Sequence, residues 1–148
     1  MSSFDAILDS DIFSEILKGR NAIVLARERS FLAEGKHYAL SAISIMEVIR
    51  GLQKIGAEER IQTLLHHLRS IEVLPLDLPC AELAGRIWGD LERSGQTIGV
   101  ADPMVAAVTI HHGATLITGN VVHYERIQRL GYRLRLDNWK EPQFAGGG

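Results

Sequence analysis

Short apolar segments alternate with amphipathic helical patterns along almost the whole chain, and no other feature of the sequence limits the fold as strongly. The apolar segments predict strands, and the segments with apolar residues every three or four positions predict helices. The predicted strands are residues 6–8, 38–40, 71–74, 114–118 and 132–136. The predicted helices are residues 12–19, 22–33, 41–52, 61–68, 80–93, 102–112 and 121–130. Strands that alternate with helices form a mostly parallel sheet covered on both faces, so we predict a three-layer α/β fold with four or five strands.

The chain has the size of a single domain. Its 148 residues include 46% hydrophobic and 23% charged side chains, which is ordinary for one domain with a substantial core. The sequence has no internal repeat and no evident linker. We therefore expect one domain over residues 1–140 and a disordered tail over residues 141–148, where three closing glycines offer no side chain to pack.

Charge and cysteine content narrow the classes of partner and site. The net charge of -2 and the isoelectric point near 6.3 do not suggest a polycationic surface, so a nucleic-acid partner would need a local basic patch. Cys80 is the single cysteine, which excludes an intramolecular disulfide and a multi-cysteine zinc site. One free thiol fits a reducing compartment, and the first residues lack the pattern of a secretory signal, so we expect a cytoplasmic protein.

Three acidic residues stand among apolar neighbours near the ends of predicted elements, namely Asp9, Glu47 and Asp102. Asp9 follows the first predicted strand, and parallel α/β sheets bind ligands at the carboxyl ends of their strands. Glu47 and Asp102 lie near the starts of predicted helices, so all three acids can meet at that edge beside Thr118 and Asn120. Oxygen atoms are the ligands that Mg²⁺ and Mn²⁺ prefer. The pattern therefore favours a divalent-metal site.

Each of these acids also has a purely structural interpretation. We predict Asp102, which precedes Pro103, to be the N-cap of its helix, and Asp9 can cap the first helix in the same way. Glu47 can be an ordinary glutamate that faces solvent. Taken alone, no one of the three residues identifies a site.

Five further residues near the acids are weaker candidates for the site, namely Ser10, Asp11, Thr118, Asn120 and His123. Ser10 and Thr118 can orient ligands through hydrogen bonds or make only local turn contacts. We expect Asp11 to face solvent or to cap the first helix. His123 is a candidate only because it lies near the proposed site.

Four segments, in order along the chain, resemble the motifs of the PIN domain, and in particular of the VapC-type toxin ribonucleases of bacterial toxin-antitoxin modules. They are residues 7–12, 41–51, 95–107 and 113–120 within a similarity that covers residues 5–139. The resemblance implies a PIN-like fold and metal-dependent cleavage of RNA, with Asp9, Glu47 and Asp102 as the catalytic and metal-binding acids. It also implies Mg²⁺ or Mn²⁺ as the cofactor, since such an ion activates a water for attack on a phosphodiester.

The same resemblance implies three partners, which are an RNA substrate, a cognate antitoxin protein and a second copy of the chain. An antitoxin segment would lie in an apolar groove between the early helices and present a basic side chain to the acids. Gly85 and Gly89 beside Trp88 can belong to a homodimer contact, although tight internal packing explains the same spacing more simply.

The last of the four segments departs from the family pattern. Many relatives carry another acid near the end of that turn, where this chain has Asn120 and, further on, His123. Asn120 can bind a metal through its carbonyl oxygen, but it adds no negative charge. The number of metal ions, one or two, therefore stays open.

RNA binding requires cations around an acidic pocket, because phosphate contacts dominate the affinity. Two groups of basic residues can flank the site, although charged surface helices often produce the same pattern. The groups are Lys18, Arg20, Arg27 and Arg29, and Arg126, Arg129, Arg133 and Arg135.

Two other functions remain open at the level of sequence. The pair Asp9 and Asp11 also resembles the opening motif of haloacid-dehalogenase-like phosphatases, in which Asp9 would be a covalent nucleophile. The later motifs of that family are not seen, and 148 residues leave little room for its cap domain. The second alternative is a PIN-like module with a decayed site that binds RNA or protein without cleaving it.

Overall fold

The computed structural model describes residues 3–143 and contains one parallel sheet of five strands in the order β3-β2-β1-β4-β5. The strands are β1 Ala6–Leu8, β2 Tyr38–Ser41, β3 Val73–Leu74, β4 Thr115–Ile117 and β5 Arg135–Asp137. The helices are α1 Ser10–Lys18, α2 Ala22–Ala33, α3 Ala42–Lys54, α4 Glu58–His67, α5 Leu78–Arg93, α6 Ala101–His111 and α7 Val121–Arg129, and a 3₁₀ turn covers Leu68–Ser70.

Strand β1 lies at the centre of the sheet and is buried on both faces. Its three residues pair with β2 on one side and β4 on the other, with Leu8 opposite Leu40 and Ile117. Ile7 packs into a core formed with helices α5, α6 and α7, whereas Ala6 and Leu8 pack into a second core formed with α1, α3 and α4. The two cores on opposite faces confirm the predicted three-layer α/β fold.

Short polar residues at the junctions determine where the site-bearing helices begin. Ser41 ends strand β2, and its hydroxyl caps α3 by accepting the Ser44 N–H at 3.1 Å. Helix α1 ends at Gly19, whose φ of 65° is in the left-handed region that favours glycine. Helix α2 lies at the predicted residues 22–33 and is capped by Asn21.

Several sequence predictions differ from the structure in their details. Strand β5 lies over Arg135–Asp137 and not over residues 132–136, and β3 has only two residues. Trp88, which lies beside Gly85 and Gly89 on α5, is 38% exposed. Gly85 and Gly89 are exposed, and a Cβ atom added at either would meet no atom within 4 Å, so the predicted tight internal packing is wrong.

The described residues contain no helix that is both long enough and apolar enough to cross a membrane. The predicted tail over residues 141–148 falls mostly outside the described range, which ends at residue 143.

Candidate active site

Asp9 lies at the junction between strand β1 and helix α1. Its N–H donates to the carbonyl of Ile117 at 2.9 Å, which ties it to strand β4. One carboxylate oxygen accepts the Ser10 N–H at 2.9 Å and caps α1, and the other accepts the Thr118 hydroxyl at 2.8 Å. Asp9 is only 3% exposed. The residue therefore does cap a helix, as its structural interpretation expected, but it is also a buried carboxylate held at the carboxyl edge of the sheet.

The prediction that Asp102 is an N-cap is wrong. Helix α6 begins at Ala101, with Val100 in the N-cap position and no side chain as a cap. The helix can begin before Pro103 because the N–H groups of a first turn have no acceptor within the helix, so the missing proline N–H costs nothing there. Asp102 thus lies inside the first turn, where its carboxylate is not used to cap the helix.

The carboxylate of Asp102 instead contacts two residues of helix α7. It accepts a hydrogen bond from the Tyr124 hydroxyl at 3.2 Å and lies 3.5 Å from Nδ1 of His123. Tyr124 is fully buried, whereas His123 is exposed. The structure therefore confirms that His123 lies beside the acids, and it adds Tyr124, which sequence reasoning missed because a buried tyrosine on a helix is ordinary core.

Glu47 lies in the second turn of helix α3 and is half-buried. The Ser10 side chain forms a hydrogen bond with it, which opposes a rise in the pKa of Glu47. Ser10 thus touches two of the three acids, because its N–H caps Asp9. The interpretation of Glu47 as a glutamate that simply faces solvent does not hold.

Burial raises the pKa values of all three acids. Burial raises the pKa of Asp9 to about 7, with further contributions from the charges of Asp11 and Asp102. Burial also raises the pKa of Glu47, and Asp102 and Asp11 add to the effect. The pKa of Asp102 is raised by burial despite its contacts with Tyr124 and His123. The structure therefore brings Asp9, Glu47 and Asp102 into one electrostatic unit with an excess of buried negative charge.

Asp11 does not simply face solvent or cap the helix. Its Oδ2 atom accepts the Gly119 N–H at 2.9 Å and lies 3.2 Å from the Nζ atom of Lys140. Its other oxygen accepts the N–H of Ile12. A Cβ atom added at Gly119 would lie 2.5 Å from Asp11 Oδ2, so only glycine allows this close approach. Sequence reasoning missed Lys140 because it lies after the last strand, far from every motif.

Asn120, proposed as the last ligand, is exposed and occupies the N-cap position of α7 without a side-chain capping bond. Its backbone N–H donates to Thr118 Oγ1 at 3.0 Å. The residue thus supports Thr118, which in turn holds Asp9. Nothing in this arrangement replaces a fourth acid.

The donor set fits a hard divalent cation. Carboxylate oxygens dominate it, and a cation would relieve the repulsion that raises the pKa values of the acids. Within residues 3–143, no three acidic side chains have oxygens that all lie within 4.8 Å of one another. An ion would therefore contact at most two of these acids directly in this arrangement and reach the third through water, as is usual for Mg²⁺.

An apolar groove of about 620 Å³ lies between helices α1, α3 and α4 and reaches Glu47. Glu47 lies on its wall, so the groove and the acidic site are continuous. This is the groove between the early helices that the sequence predicted. Its apolar lining includes Phe13, Leu17, Val48, Leu52, Ile55 and Leu64.

Three of the eight basic residues proposed for RNA binding make structural contacts instead. Arg27 donates to Asp137 at 2.9 Å and to two backbone carbonyls of the segment that follows. Arg126 donates to the carbonyl of Thr97 at 2.8 Å. Arg135 donates to the carbonyl of Gly113. These three side chains therefore tie loops to the domain.

The sequence pattern of the PIN domain matches residues 6–129, which include all three acids. The chain belongs to the PIN domain family. Ribonuclease VapC2 of Rickettsia felis is 31% identical over 109 residues, which cover 73% of this chain and 78% of the relative. The tRNA(fMet)-specific endonuclease VapC of Salmonella typhimurium is 32% identical over 114 residues, which cover 76% of this chain and 83% of the relative.

Solved structures of this PIN-domain type have the same fold. VapBC2 from Rickettsia felis, bound to a DNA fragment from its promoter, aligns with a TM-score of 0.78 at 25% identity and covers 92% of this chain and 99% of that chain. DNA-bound VapBC from Salmonella typhimurium aligns with a TM-score of 0.77 at 27% identity, and the alignment covers 92% of this chain and 98% of that chain. Membership of the PIN domain family decides against the phosphatase alternative.

Proposed function

We propose that this PIN-domain protein is a metal-dependent endoribonuclease that acts as the toxin of a toxin-antitoxin pair, with Asp9, Glu47 and Asp102 as its metal-binding acids. The observation that carries the proposal is a set of three buried or half-buried carboxylates whose pKa values are raised by burial, with further contributions from neighbouring acids for Asp9 and Glu47. Membership of the family supports cleavage of RNA, because the relatives are named as VapC ribonucleases.

In this proposal the residues of the chain position the acids and the substrate. Ser10, Thr118 and Tyr124 donate hydrogen bonds that fix Asp9, Glu47 and Asp102. The chemistry that bound Mg²⁺ or Mn²⁺ supplies is activation of a water and neutralisation of charge on the phosphodiester.

We propose His123 and Lys140 as contacts for the phosphates that flank the scissile bond. Both side chains lie at the rim of the acidic site and are 40% exposed or more. Each lies beside one of the acids, His123 beside Asp102 and Lys140 beside Asp11. A cation or N–H donor at this position offsets repulsion between the acids and the RNA backbone.

The test of this function is cleavage of total bacterial RNA by the purified, antitoxin-free protein, followed by sequencing of the new RNA ends. We expect cleavage with Mg²⁺ or Mn²⁺, none with a chelator, and a loss of at least about 100-fold in Asp102→Asn. Circular dichroism spectra of the variant and the wild type should coincide. Undiminished cleavage in chelator would contradict the metal requirement. RNA binding without cleavage under every metal condition would favour the decayed binding module.

The apolar groove is the proposed binding surface of the cognate antitoxin. An apolar segment fits its lining, and a basic side chain of that segment can approach Glu47, which the groove shares with the acidic site. The VapBC complexes among the solved structures are described as toxin-antitoxin systems, which supports a protein partner. Such a segment would block RNA and the metal together.

A charge introduced into the groove tests the antitoxin surface separately from cleavage. Ile55 lines the groove and is 67% exposed, so Ile55→Glu should fold normally. We expect it to cleave RNA without inhibition by a cognate antitoxin. Leu78→Glu is the matched control, because Leu78 is exposed and lies outside the groove. Equal inhibition of both variants would place the antitoxin elsewhere.

The exposed face of α5 is the proposed homodimer contact, since Gly85, Trp88 and Gly89 are not used in internal packing against another helix. Light scattering during gel filtration should give twice the chain mass for wild type and one chain mass for Gly89→Arg. The matched control is Leu65→Arg on α4, which is equally exposed and should remain dimeric. A monomeric wild type would contradict this contact.

Cleavage of cellular RNA also implies a cytoplasmic location.

A further inference from the structure

A second cluster of metal-ligating side chains lies outside the acidic site. Among residues 3–143, Cys80, His111 and His112 are the group whose ligand atoms all lie within 4.8 Å of one another. Cys80 is fully buried, His112 is half-buried and His111 is exposed. The cluster therefore has a buried sulfur donor and a nitrogen donor that solvent can reach.

Two helices supply these residues from opposite directions. Cys80 lies in the first turn of α5, whereas His111 ends α6 and His112 is its C-cap. Asp102 lies in the first turn of the same helix α6. It is nine residues before His111, and at a rise of 1.5 Å per residue the two residues are about 14 Å apart along the helix axis. The cluster lies beside the start of β4, at the amino-terminal edge of the sheet, and the acids lie at the carboxyl edge.

The surroundings of the cluster suit a bound cation. The carboxyl end of α6, which carries both histidines, favours a positive ion. The carboxylate of Asp77 caps α5 by accepting the Cys80 N–H at 3.2 Å, and its hydrogen bonding with Cys80 lowers the pKa of Asp77. Phe4 packs edge-on against His112 with ring centroids 5.6 Å apart and restricts its orientation.

We propose that Cys80, His111 and His112 form a binding site for a borderline-soft transition-metal ion such as Zn²⁺, separate from the acidic site. One thiolate and two imidazoles are a Zn²⁺ ligand set, whereas Mg²⁺ prefers oxygen. Ligand lengths of 2.0 to 2.3 Å in a tetrahedral site put donor atoms about 3.4 Å apart, so the three side chains need only small movements to bind. The fourth position belongs to water.

Binding displaces a proton from sulfur. A cysteine binds a metal ion as the thiolate, so the Cys80 thiol must lose its proton. The S–H bond breaks as the S–metal bond forms, the proton leaves to solvent, and no oxidation state changes. The affinity should therefore rise with pH as one proton is released per ion.

The probe for this site is Co²⁺, followed by displacement with Zn²⁺, in the full chain carrying Asp9→Asn and Asp102→Asn so that the acidic site does not compete. We expect one ion per chain, a near-ultraviolet charge-transfer band from a Co²⁺–thiolate bond, and release of one proton. Saturating Zn²⁺ should raise the melting temperature by roughly 5 °C at a hundredfold excess over Kd. Mg²⁺ at the same concentrations should give none of these signals.

Variants of the cluster and of an unrelated histidine pair identify the ligands. His111→Asn alters an exposed side chain and should fold normally, yet weaken Zn²⁺ binding at least about tenfold. Cys80→Ser should abolish the charge-transfer band. The matched control is the double variant His66→Asn, His67→Asn, because these adjacent histidines are exposed on α4 and have no cysteine beside them. The control should bind as the parent does.

The proposal is overturned if Co²⁺ binds without a thiolate band, if no saturable Zn²⁺ binding is measured, or if the His66 and His67 variant loses as much affinity as His111→Asn. None of these outcomes depends on RNA cleavage, so a failure here leaves the proposed function standing.

Discussion

The two ends of helix α6 carry different ligand chemistry. At its start, Asp102 meets Asp9 in a region of buried oxygen donors and excess negative charge. At its end, His111 and His112 meet Cys80, and the donors are nitrogen and sulfur. Under the two proposals above, one helix separates a site for a hard ion from a site for a borderline-soft ion by about 14 Å, and each donor set favours a different ion.

The two ends of the helix also differ in how many contacts hold their ligand residues in place. Asp9 ends a strand that is hydrogen-bonded on both sides, and its carboxylate has two donors. His111 is exposed at the last turn of its helix, where fewer contacts restrict it. Substitutions at the acidic end should therefore change both chemistry and stability, whereas His111 should tolerate change with little effect on folding.

The largest expected effect is on cleavage in Asp9→Asn. The variant keeps an acceptor for the Thr118 hydroxyl but loses the negative charge that a divalent ion requires. We expect RNA cleavage to fall at least about 100-fold at saturating Mg²⁺ or Mn²⁺, as measured by the initial rate on a defined RNA. A variant that cleaves within twofold of the wild type would remove Asp9 from the site, and His111→Asn is the control at the other end of α6.

A smaller effect is expected for Gly119→Ala. The added Cβ would lie 2.5 Å from Asp11 Oδ2 and 2.8 Å from the Lys140 side chain, so Asp11 must move away from the backbone N–H that holds it. We expect cleavage to fall about tenfold. Gly85→Ala is the matched control, because its Cβ meets nothing within 4 Å and alanine favours a helix. Equal rates of RNA cleavage by Gly119→Ala and Gly85→Ala would show that the contacts of Asp11 and Lys140 do not contribute to cleavage.

The smallest effect is a change in stability with pH. Because the pKa of Asp9 is about 7 in the folded state and near 3.8 in the unfolded state, the folded protein binds more protons between these values. Its stability therefore falls as the pH rises from about 4 to about 7, with no metal present. Asp9→Asn removes this loss, so its melting temperature should exceed that of the wild type by about 3 to 6 °C at pH 8 and by little at pH 4.

Thermal melts of both proteins in chelator across this pH range measure that difference. Added Mg²⁺ should stabilise the wild type more than the variant, because the ion offsets the repulsion that the wild type retains. If the melting temperature of Asp9→Asn exceeds that of the wild type by the same amount at every pH, the assignment of the raised pKa to Asp9 is contradicted.

The sequence predicted most of the fold because its signals are local. Apolar runs such as Ala6–Leu8 and helix patterns such as residues 22–33 depend on spacing alone, and a glycine just after a helical pattern, such as Gly19, is a local signal for the end of a helix. The start of α6 was predicted two residues too late, with the N-cap at Asp102 instead of Val100, because a proline preceded by an aspartate is a common cap pattern. Here the helix begins at Ala101 and includes both residues in its first turn.

The residues of the candidate site also fall into two groups, those that local motifs predict and those that depend on contacts distant in sequence. The acids were predicted because each stands in a local motif, and the parallel sheet then brings their segments to one edge. Tyr124 and Lys140 were missed because their roles depend on contacts with Asp102 and Asp11, which lie far away in sequence. The cluster of Cys80 with His111 and His112 was missed for the same reason, since only the packing of α5 on α6 brings the three together.

The central claim is that RNA cleavage depends on a divalent ion held at the Asp102 end of α6 and not at the His111 end. The most direct measurement is the rate of RNA cleavage as Mn²⁺ is titrated into metal-free wild type, Asp102→Asn and His111→Asn. We predict the same Mn²⁺ dependence for wild type and His111→Asn and no measurable cleavage by Asp102→Asn at any concentration. Full activity of Asp102→Asn, or a loss of activity in His111→Asn, would contradict the claim.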